Sequence, residues 1–458
     1  MTGPEAKRAA PEVAVILAAG LGTRLHSTTK RPKPLTMVLG LTLAERTVCT
    51  LRAVDIRRFI VTLGHEAQTV RAHFANIAQR RGVTIEFVEA KNWRLGNGAS
   101  ALAARDHTGA APFFLVMSDQ LFDPGIARAL IGDAPAPSEM CLAVDRDRAA
   151  IFDPNDVTRV QTANGRITQI DKSLPEWDAA DTGVMLCTAG LFDGLERAAA
   201  DGRHGLSDGV RELAREERAR TVDVTGQPWI DVDTPEALRE AERRLLRGLA
   251  SKSSDGPVSR HLNRPLSRRL TRLLVRLPIT PNQVSVASWA LCCLAAALFA
   301  IGGYPALAAG GIIAHAASII DGCDGEIARL KGMQSDFGGL FDSVLDRYAD
   351  AFLLFGLTWH VFAATGSSEA LAVGFAAIVG SFVNTYTSDK FDALMSKRHR
   401  GKPYLRLGRD VRLFVIFLGA LVNLPLLTLG VIALAMNLEV ARRLILYARN
   451  ESGLRHGH

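Results

Sequence analysis

The chain has 458 residues, too many for one ordinary domain, and 48% of them are hydrophobic. Its net charge is +7, but the basic residues gather at 260–276, 397–412 and 442–449, beside apolar segments, rather than along a nucleic-acid-binding stripe. We therefore expect a membrane protein with no nucleic-acid partner. The six cysteines are scattered and indicate neither a disulfide framework nor a zinc site.

The first half, up to about residue 245, has the alternating pattern of a soluble α/β domain. Short apolar runs of strand type lie at 13–18, 59–63, 84–88 and 113–117. Helical stretches such as 99–105 separate them, which predicts a Rossmann-like, mostly parallel sheet covered on both faces. Proline and charge precede the first run, so no signal peptide is indicated and we expect this half in the cytosol.

The first apolar run opens into a glycine-rich turn, residues 17–25 (LAAGLGTRL), followed by residues 32–35 (PKPL). Glycines there let backbone N–H groups approach a triphosphate, while Arg24 and Lys33 would neutralise charge on a leaving pyrophosphate. The turn alone also fits a dinucleotide site or a plain loop. Together the two segments resemble the signature of the nucleotidyltransferases that make NDP-sugars and CDP-alcohols. The resemblance implies catalytic roles for Arg24 and Lys33 and nucleotide binding by Ala18, Gly20, Gly22 and Lys33.

Two later segments are similar to metal-binding segments of the same family. Asp119 follows an apolar strand, where the family carries a metal-binding aspartate. Residues 229–235 (WIDVDTP) resemble the segment that gives the second metal ligand. We favour Asp233 for that role and keep Asp231 open, because a capping or turn role fits Asp231 equally well.

The substrates would lie beside these residues. The resemblance implies that Gly96, Asn97 and Gly98 hold the nucleotide base, and that Lys172 and Asp181 lie where such enzymes meet their second substrate. The implied reaction is an in-line attack by a phosphate monoester on the α-phosphate of a nucleoside triphosphate. Asp119 and Asp233 would hold the Mg²⁺ ion.

From about residue 284 the pattern changes to long apolar segments joined by short polar turns. We predict membrane spans at 285–302, 305–329, 339–364, 369–393, 410–423 and 425–447. The 397–412 loop and the C-terminal tail are rich in Lys and Arg, whereas the turns on the opposite side lack both. Six spans with the N-terminal domain and the C-terminus in the cytoplasm satisfy the positive-inside rule in a cell (inner) membrane. Buried helices of a soluble protein are the alternative.

Four carboxylates interrupt this apolar half. Asp321 and Asp324 are three residues apart, and Asp342 and Asp346 are four apart, so each pair shares one helix face. A charge at the bilayer centre costs about 2.5–3.5 kcal/mol on insertion scales, and four would cost roughly 10 kcal/mol. Divalent cations offset such a cost, because hard cations such as Mg²⁺ bind carboxylate oxygens.

The spacing of residues 321–346 is that of the CDP-alcohol phosphotransferase signature, DxxDGxxAR followed by GxxxDxxxD, and the chain resembles it at every position. The alternative is a polar helix face neutralised by Arg329 and Arg347. The resemblance implies two Mg²⁺ ions, with Mn²⁺ as a substitute, and Asp346 as general base. The implied metal ligands are Asp321, Asp324, Asp342 and Asp346. The implied nucleotide contacts are Gly325, Arg329 and Gly338. Asp350 lies outside the signature, and both a supporting and a neutral role are open.

A phosphorylated acceptor would need cations near the acids. The candidates for binding its phosphate are Ser388, Lys402, Arg409 and Arg412. Ordinary positive-inside charge accounts for these basic residues equally well.

The order of the two halves is informative, since the first would make a CDP-alcohol and the second would consume it. Over nearly its whole length the chain resembles the bifunctional inositol-1-phosphate cytidylyltransferase/CDP-inositol:inositol-1-phosphate transferase family. That resemblance implies CTP, inositol 1-phosphate and CDP-inositol as ligands, a lipid bilayer as surroundings, and a homodimer through membrane helices. The expected domains are a nucleotidyltransferase at 1–247, a linker with a juxtamembrane helix at 248–283, and a membrane domain at 284–458.

Two other functions are open. The acceptor could be a lipid hydroxyl, which would make the product a phospholipid, because the aspartate signature is shared by enzymes with lipid and with soluble acceptors. Alternatively, the chain could be a nucleotide-gated transporter or sensor. The intact acidic signature and the retained Arg24, Lys33 and Asp119 argue against the latter.

Overall fold

A computed structural model of the chain describes residues 10–22, 24–25, 31–249, 256–396 and 408–455, with the side chains of all but 389–396 and 449–455. The chain divides into two compact units, Met1–Leu245 and Leu246–His458. The first is an α/β unit, and the second is helical.

A nine-stranded sheet, counted over the described residues, forms the centre of the first unit, with the strand order β5-β4-β1-β6-β11-β8-β12-β10-β9. Its strands are β1 (Val13–Ala18), β4 (Arg58–Leu63), β5 (Thr84–Glu89), β6 (Phe113–Met117), β8 (Met140–Asp145), β9 (Arg159–Ala163), β10 (Arg166–Asp171), β11 (Ala179–Cys187) and β12 (Ala219–Asp223). Two short pairs flank it, β2 (Met37–Val38) with β3 (Leu41–Thr42), and β7 (Gln120–Phe122) with β13 (Trp229–Asp231).

The sheet differs from the expected mostly parallel one in its second half. Strands β5, β4, β1 and β6 pair in parallel, as predicted. Strand β11 then runs antiparallel to both β6 and β8, and β10 runs antiparallel to β9 and β12. The β8–β12 pair is again parallel. The prediction of a mostly parallel sheet is therefore wrong for β9–β11, because turns and loops join these strands instead of crossover helices.

Helices cover both faces of this sheet. They are α1 (Leu43–Arg52), α2 (Ala67–Arg81), α3 (Asn97–Leu102), α4 (Arg105–Thr108), α5 (Pro124–Gly132), α6 (Gly190–Ala200), α7 (Leu206–Arg215) and α8 (Pro235–Gly248). Successive residues of β1 point to opposite faces, so Val13, Val15 and Leu17 join one core and Ala14 and Ile16 the other. Every residue of β1 is buried, which explains why this central strand has no polar alternation.

The second unit is a set of helices. A π-type turn (Ser259–Asn263) leads into α9 (Arg264–Leu274). The longer helices that follow are α10 (Pro281–Ile301), α11 (Tyr304–Leu330), α12 (Asp336–Thr365), α13 (Ser368–Ser396), α14 (Arg409–Leu421) and α15 (Pro425–Arg455). Each predicted span coincides with one of these six. Within the described residues, three of them are long and apolar enough to cross a membrane: Pro281–Ile301, Tyr304–Leu330 and Ser368–Ser388.

Close helix contacts hold this bundle together. Helix α10 packs against α11 and α12, and α13 packs against α15. A Cβ atom at Gly356 would lie 2.6 Å from the carbonyl oxygen of Ala296, so glycine allows α12 to approach α10 closely. Glu326 of α11 is fully buried and accepts hydrogen bonds from Ser267 and Thr271, each at 2.7 Å, which fastens α9 to the bundle.

Candidate active sites

A pocket of about 250 Å³ lies at the carboxyl ends of β1 and β6 in the first unit. Backbone pairing brings the two loops together, because Ser118 N donates to Leu17 O at 3.1 Å. The pocket is lined by Leu17, Ala18, Gly20, Gly22, Arg24, Lys33, Pro34, Met117, Ser118, Asp119 and Asp233. This cavity therefore brings together seven of the predicted site residues: Ala18, Gly20, Gly22, Arg24, Lys33, Asp119 and Asp233.

Lys33 is held in this pocket by local structure. It begins a short 3₁₀ turn (Lys33–Leu35), which the flanking prolines favour because their φ angle is fixed. Gly22 has a φ of +58°, and a Cβ atom there would lie 2.6 Å from Lys33 Cβ. Gly22 thus supplies both a left-handed backbone and the room that the lysine stem occupies.

Asp119, Asp231 and Asp233 form an acidic cluster, with one carboxylate oxygen of each within 4.8 Å of the others. The β7–β13 pair explains their approach, since Asp231 is opposite Gln120 and Val232 N donates to Asp119 O at 3.1 Å. Lys33 Nζ forms ion pairs with Asp119 and Asp233 and lies 3.8 Å from Asp231 Oδ1. Asp231, left open from the sequence, lies at the cluster beside the favoured Asp233.

The donor set of this cluster fits a hard divalent cation. Asp119 Oδ1 and Asp231 Oδ1 are buried and have no hydrogen-bond partner among the described residues. Burial and the neighbouring Asp119 carboxylate raise the pKa of Asp231 to about 7, although Lys33 opposes the shift. Buried carboxylate oxygens that lack donors are what Mg²⁺ or Mn²⁺ would satisfy.

Arg24 links the acidic cluster to a residue that the sequence did not indicate. Its guanidinium contacts Asp233 at 2.5 Å and Asp156 at 2.6 Å, and Asp156 also pairs with Lys172 at 2.9 Å. Burial opposes ionisation of Asp156, but the Lys172 and Arg24 contacts hold its pKa below the usual value. Lys172 and Arg24 therefore contact the same carboxylate, that of Asp156, which is 132 residues from Arg24 in the chain.

The Gly96–Gly98 segment does not line this pocket and packs against other parts of the protein. A Cβ atom at Gly96 would lie 2.5 Å from His204 O, and one at Gly98 would lie 2.7 Å from the same oxygen. Asn97 Oδ1 accepts a hydrogen bond from Leu206 N at 2.7 Å. Packing against the 204–206 loop therefore explains these three residues without a nucleotide, and base binding by them stays a prediction.

Asp181 lies in β11, opposite Val144 of β8. Its Oδ1 accepts a hydrogen bond from Gly183 N at 2.6 Å, and Gly183 has a φ of +74°. Burial raises the pKa of Asp181 to about 6, although the Gly183 hydrogen bond opposes the shift. A partly buried carboxyl with a raised pKa suits contact with a polar substrate. Contact between Asp181 and the second substrate stays a prediction.

A second acidic cluster lies between α11 and α12 in the helical unit. One oxygen each of Asp321, Asp342 and Asp346 lies within 4.8 Å of the others. Asp324, one turn after Asp321, lies close to Asp342. Three of the four predicted aspartates are therefore in mutual reach, with Asp324 beside them, and their donors are carboxylate oxygens only, a set that fits divalent Mg²⁺ or Mn²⁺.

Two serines of α10 orient the carboxylates of α11. Ser285 Oγ donates to Asp324 at 2.6 Å. Ser288 Oγ lies 3.2 Å from Asp321 Oδ1 and shares its hydrogen with the carbonyl oxygen of Ala317, at 3.0 Å. The serines are three residues apart and so lie on one face of α10. Nothing in the sequence motif indicated them, because their role depends on how α10 packs against α11.

Arg409 reaches into this cluster from the start of α14. Its Nη1 lies 2.9 Å from Asp321 Oδ2 and 2.7 Å from Asp346 Oδ1, so one nitrogen bridges α11 and α12. Its Nε lies 3.3 Å from Asp350 Oδ1. The structure thus brings Arg409, predicted as a phosphate ligand, into direct contact with predicted metal ligands.

Arg412 has a different environment from Arg409. Its side chain is 2% exposed and its Nη2 lies 2.5 Å from Asp350 Oδ2, whose own side chain is 4% exposed. Arg412 is therefore in contact with Asp350 rather than with the acidic cluster. Asp350, undecided from the sequence, pairs with both arginines.

The remaining predicted residues of the second unit are less closely tied to the cluster. Gly325 and Arg329 lie along α11, and a Cβ atom at Gly325 would lie 3.4 Å from Arg329 Nη1, an ordinary contact. Gly338 N donates to Ser335 Oγ, which caps α12. Ser388 lies in α13 and is partly buried. Lys402 lies outside the described residues.

Comparisons with known proteins cover both units. The MobA-like NTP transferase domain model matches residues 14–245, and the CDP-alcohol phosphatidyltransferase model matches residues 278–441. The solved structure of the inositol-1-phosphate CTP transferase from T. maritima is 24% identical, covers 52% of this chain and 97% of its own, and has a TM-score of 0.47.

Two curated relatives match nearly the whole chain, and both are named bifunctional IPC transferase and DIPP synthase. The relative from Rubrobacter xylanophilus is 39% identical over 441 residues, 96% of this chain and 97% of the relative. The relative from Thermococcus kodakarensis is 34% identical over 415 residues, 89% of this chain and 90% of the relative. With both domain models matched in the same order, the chain belongs to the family of bifunctional IPC transferases and DIPP synthases, and it is a transferase that joins a nucleotidyltransferase fold to a helical CDP-alcohol phosphotransferase domain.

Proposed function

We propose that the chain makes a phosphorylated di-myo-inositol phosphate in two steps. In the first, CTP and myo-inositol 1-phosphate give CDP-inositol and pyrophosphate. In the second, CDP-inositol and another myo-inositol 1-phosphate give the phosphodiester product and CMP. The observation that carries the proposal is the presence, in one chain with near-full-length relatives of this name, of two separate acidic clusters, each with a basic side chain.

In the first step, the pocket around the glycine turn would bind CTP. Lys33 and Arg24 are both ion-paired with the acidic cluster, so each can exchange a carboxylate for a phosphate oxygen and neutralise charge as pyrophosphate leaves. Lys172 lies on Asp156 beside Arg24, which supports its assignment to the phosphate of the attacking inositol 1-phosphate. Asp119 and Asp233 would hold Mg²⁺, and Asp231 lies close enough to join them.

In the second step, Asp346 would take the proton of the acceptor hydroxyl as that oxygen attacks the β-phosphate of CDP-inositol. The phosphoanhydride bond to CMP breaks, and CMP leaves with the electron pair. Asp321, Asp324 and Asp342 would hold two divalent ions with Asp346. When bound, these ions supply charge neutralisation at the attacking and leaving oxygens.

Arg409 is the best-placed cation for the acceptor phosphate in the described part of the second unit. Its guanidinium is already at the acidic cluster, and an arginine fork matches phosphate geometry. We assign Arg412 a supporting role, because its buried contact with Asp350 leaves it little exposed surface. Ser388 and Lys402 remain assigned to the acceptor site as predictions.

The same proposal includes the placement of the chain. Six spans, with the N-terminal unit and the C-terminus on the cytoplasmic side of the cell membrane, follow from the distribution of Lys and Arg. Three helices with the length and composition of a span support part of this topology. Domain limits near 247 and 283, and a homodimer through membrane helices, stay predictions.

The test is product identification. Purified full-length protein is incubated with CTP, Mg²⁺ and a panel of phosphorylated polyols, and the products are identified by phosphorus NMR. We expect CDP-inositol, pyrophosphate and then a phosphodiester with CMP only when inositol 1-phosphate is present. No product with inositol 1-phosphate would refute the proposal.

A second experiment separates the proposed reaction from the second candidate, transfer to a lipid acceptor. Radiolabelled CDP-inositol is chased in membranes that contain inositol 1-phosphate, and the label is followed into the aqueous or the organic phase. We expect the label in the aqueous phase. Label that enters the organic phase would assign the second step to phospholipid synthesis and leave the first step unchanged.

A further inference from the structure

The contacts of Arg409 place it between metal ligands rather than beside them. One nitrogen, Nη1, lies 2.9 Å from Asp321 and 2.7 Å from Asp346, and so joins carboxylates of two different helices. The Arg409 side chain is only 12% exposed. A buried guanidinium at this position neutralises carboxylates that would otherwise repel one another across the α11–α12 contact.

The opposite edge of the same guanidinium is fixed. Arg409 Nε lies 3.3 Å from Asp350 Oδ1, and Asp350 Oδ2 lies 2.5 Å from Arg412. Asp350 and Arg412 are nearly fully buried, so this pair is a stable anchor inside the bundle. The arginine can therefore stay attached through Nε while its Nη1 edge changes partners, which a lysine ammonium could not do.

We propose that Arg409 is a built-in counter-cation of the acidic cluster, which bridges Asp321 and Asp346 when no divalent cation is bound and gives up these carboxylates when one binds. Asp350, held by Arg412, is the positioning residue that keeps the guanidinium at the site in both states. The released Nη1 edge is then free for an anionic phosphate. This inference rests on the proposed function only in naming that phosphate.

A bridging cation must compete with a divalent ion for the same oxygens. Removing its charge should therefore tighten Mg²⁺ binding and destabilise the metal-free unit. A unit charge within hydrogen-bond distance of two carboxylates is enough to change the Mg²⁺ midpoint about 10-fold or more in the partly buried site.

The experiment compares Arg409→Gln with the unmodified full-length protein in detergent, without substrates. Each sample is heated briefly over a Mg²⁺ titration and pulsed with maleimide, and labelling of the buried Cys323 is quantified by peptide mass spectrometry. Cys323 lies in the second unit, whereas Cys141 and Cys187 report separately on the metal site of the first. We expect the variant to be less protected without Mg²⁺ and to reach half-protection at about 10-fold lower Mg²⁺.

Arg443→Gln is the matched control. Arg443 is also a buried arginine of the second unit, but it pairs with Glu439 at 3.0 Å and not with the acidic cluster. Its loss should lower protection of Cys323 equally with and without Mg²⁺ and leave the midpoint unchanged. An equal midpoint shift in both variants would overturn the proposal, as would an unchanged or raised midpoint in Arg409→Gln.

Arg409→Lys covers the case in which the glutamine variant does not fold. Lysine keeps the charge but cannot span Asp321, Asp346 and Asp350 at once, so a smaller fall in the Mg²⁺ midpoint is expected. A midpoint equal to that of the unmodified protein would contradict the bridging role. The experiment measures Mg²⁺ binding and not turnover. Its result therefore tests the role of Arg409 even if the chain does not catalyse the proposed reactions.

Discussion

The two acidic clusters of this chain are alike in composition and different in construction. Each brings three aspartates within 4.8 Å, and each has a basic side chain in contact with two or more of them. In the first unit the cation is Lys33, which a short turn presents to the pocket that it lines. In the second it is Arg409, fixed on its other edge by the buried Asp350–Arg412 pair.

The difference follows from the surroundings of each cluster. Both cations are themselves mostly buried, with the Lys33 side chain 10% exposed and that of Arg409 12%. Lys33 lies near the exposed charged side chains of Arg24 and Asp231, so its ammonium can leave a carboxylate for a phosphate within a polar pocket. Within an apolar bundle, an unpaired charge is expensive, so the cation must keep one partner while it exchanges another. A planar guanidinium with an anchored Nε satisfies that requirement.

The largest expected effect is the loss of one reaction step while the other step continues. Asp346→Asn should lower the second step by about 10²–10⁴-fold with supplied CDP-inositol, because the asparagine amide cannot take the acceptor proton. Formation of CDP-inositol from CTP should be unchanged. The measurement is the initial rate of CMP release, with pyrophosphate release from CTP followed in parallel.

Asp119→Asn is the reciprocal variant. It removes a carboxylate from the first cluster, so CDP-inositol formation should fall about 100-fold or more while transfer from supplied CDP-inositol continues. If each variant impaired both steps equally, the two clusters would not be independent sites. If Asp346→Asn kept full transfer, a transporter or sensor function would become the better account of the second unit.

Local sequence was enough to predict much of both sites. The strands at Val13–Ala18 and Phe113–Met117 coincide with short apolar runs bounded by turn residues, and they bring the glycine turn to Asp119. In the second unit, helical spacing of three and four residues is enough to put Asp321 with Asp324, and Asp342 with Asp346, on one helix face each. The resemblance to the phosphotransferase signature implied that the two pairs come together. These predictions needed only backbone periodicity and motif spacing.

What the sequence did not indicate depends on tertiary packing. Asp156 meets Arg24 across 132 residues, and Ser285 and Ser288 meet the aspartates only because α10 packs on α11. Asp350 was undecided for the same reason, since its partners come from α14. No periodicity in one sequence reports which distant loops or helices come into contact.

A smaller expected effect sharpens the description of the first cluster. Gly22→Ala should lower the rate of CDP-inositol formation about 10-fold, because the left-handed backbone costs an alanine about 1–2 kcal/mol and its Cβ would displace Lys33. Transfer from supplied CDP-inositol should not change. The rate constants of the two steps, measured separately, check this.

Gly132→Ala is the control for that variant. Gly132 ends helix α5, lacks a positive φ, and has nothing within 4 Å of a Cβ atom built there. The substitution should leave both rates unchanged. Equal losses from Gly22→Ala and Gly132→Ala would show that the effect comes from general stability and not from the placement of Lys33.

The smallest expected effect concerns Asp181, whose environment differs from both clusters in lacking a basic partner among its described contacts. Burial raises its pKa from the usual 3.8 to about 6, so between these values the folded protein holds a proton that the unfolded chain has released. Stability from this group is therefore full below about pH 4 and is lost as the pH rises through about 6. Asp181→Asn keeps an oxygen acceptor for Gly183 N and removes the titration.

The free energy of unfolding of the variant should equal that of the unmodified protein near pH 4 and should exceed it increasingly up to about pH 7. Two pKa units correspond to roughly 3 kcal/mol, but the side chain keeps a partly exposed edge, so we expect a gain of about 1 kcal/mol. Cys141 of β8 and Cys187 of β11 are buried, and their pulsed labelling with a pyridyl disulfide, which reacts with thiols even at pH 4, reports unfolding of this sheet in the full-length protein. A gain in stability that is the same at every pH would mean that the aspartate destabilises the sheet by its shape. Burial of an unpaired charge would then not be the feature that distinguishes Asp181 from the two acidic clusters.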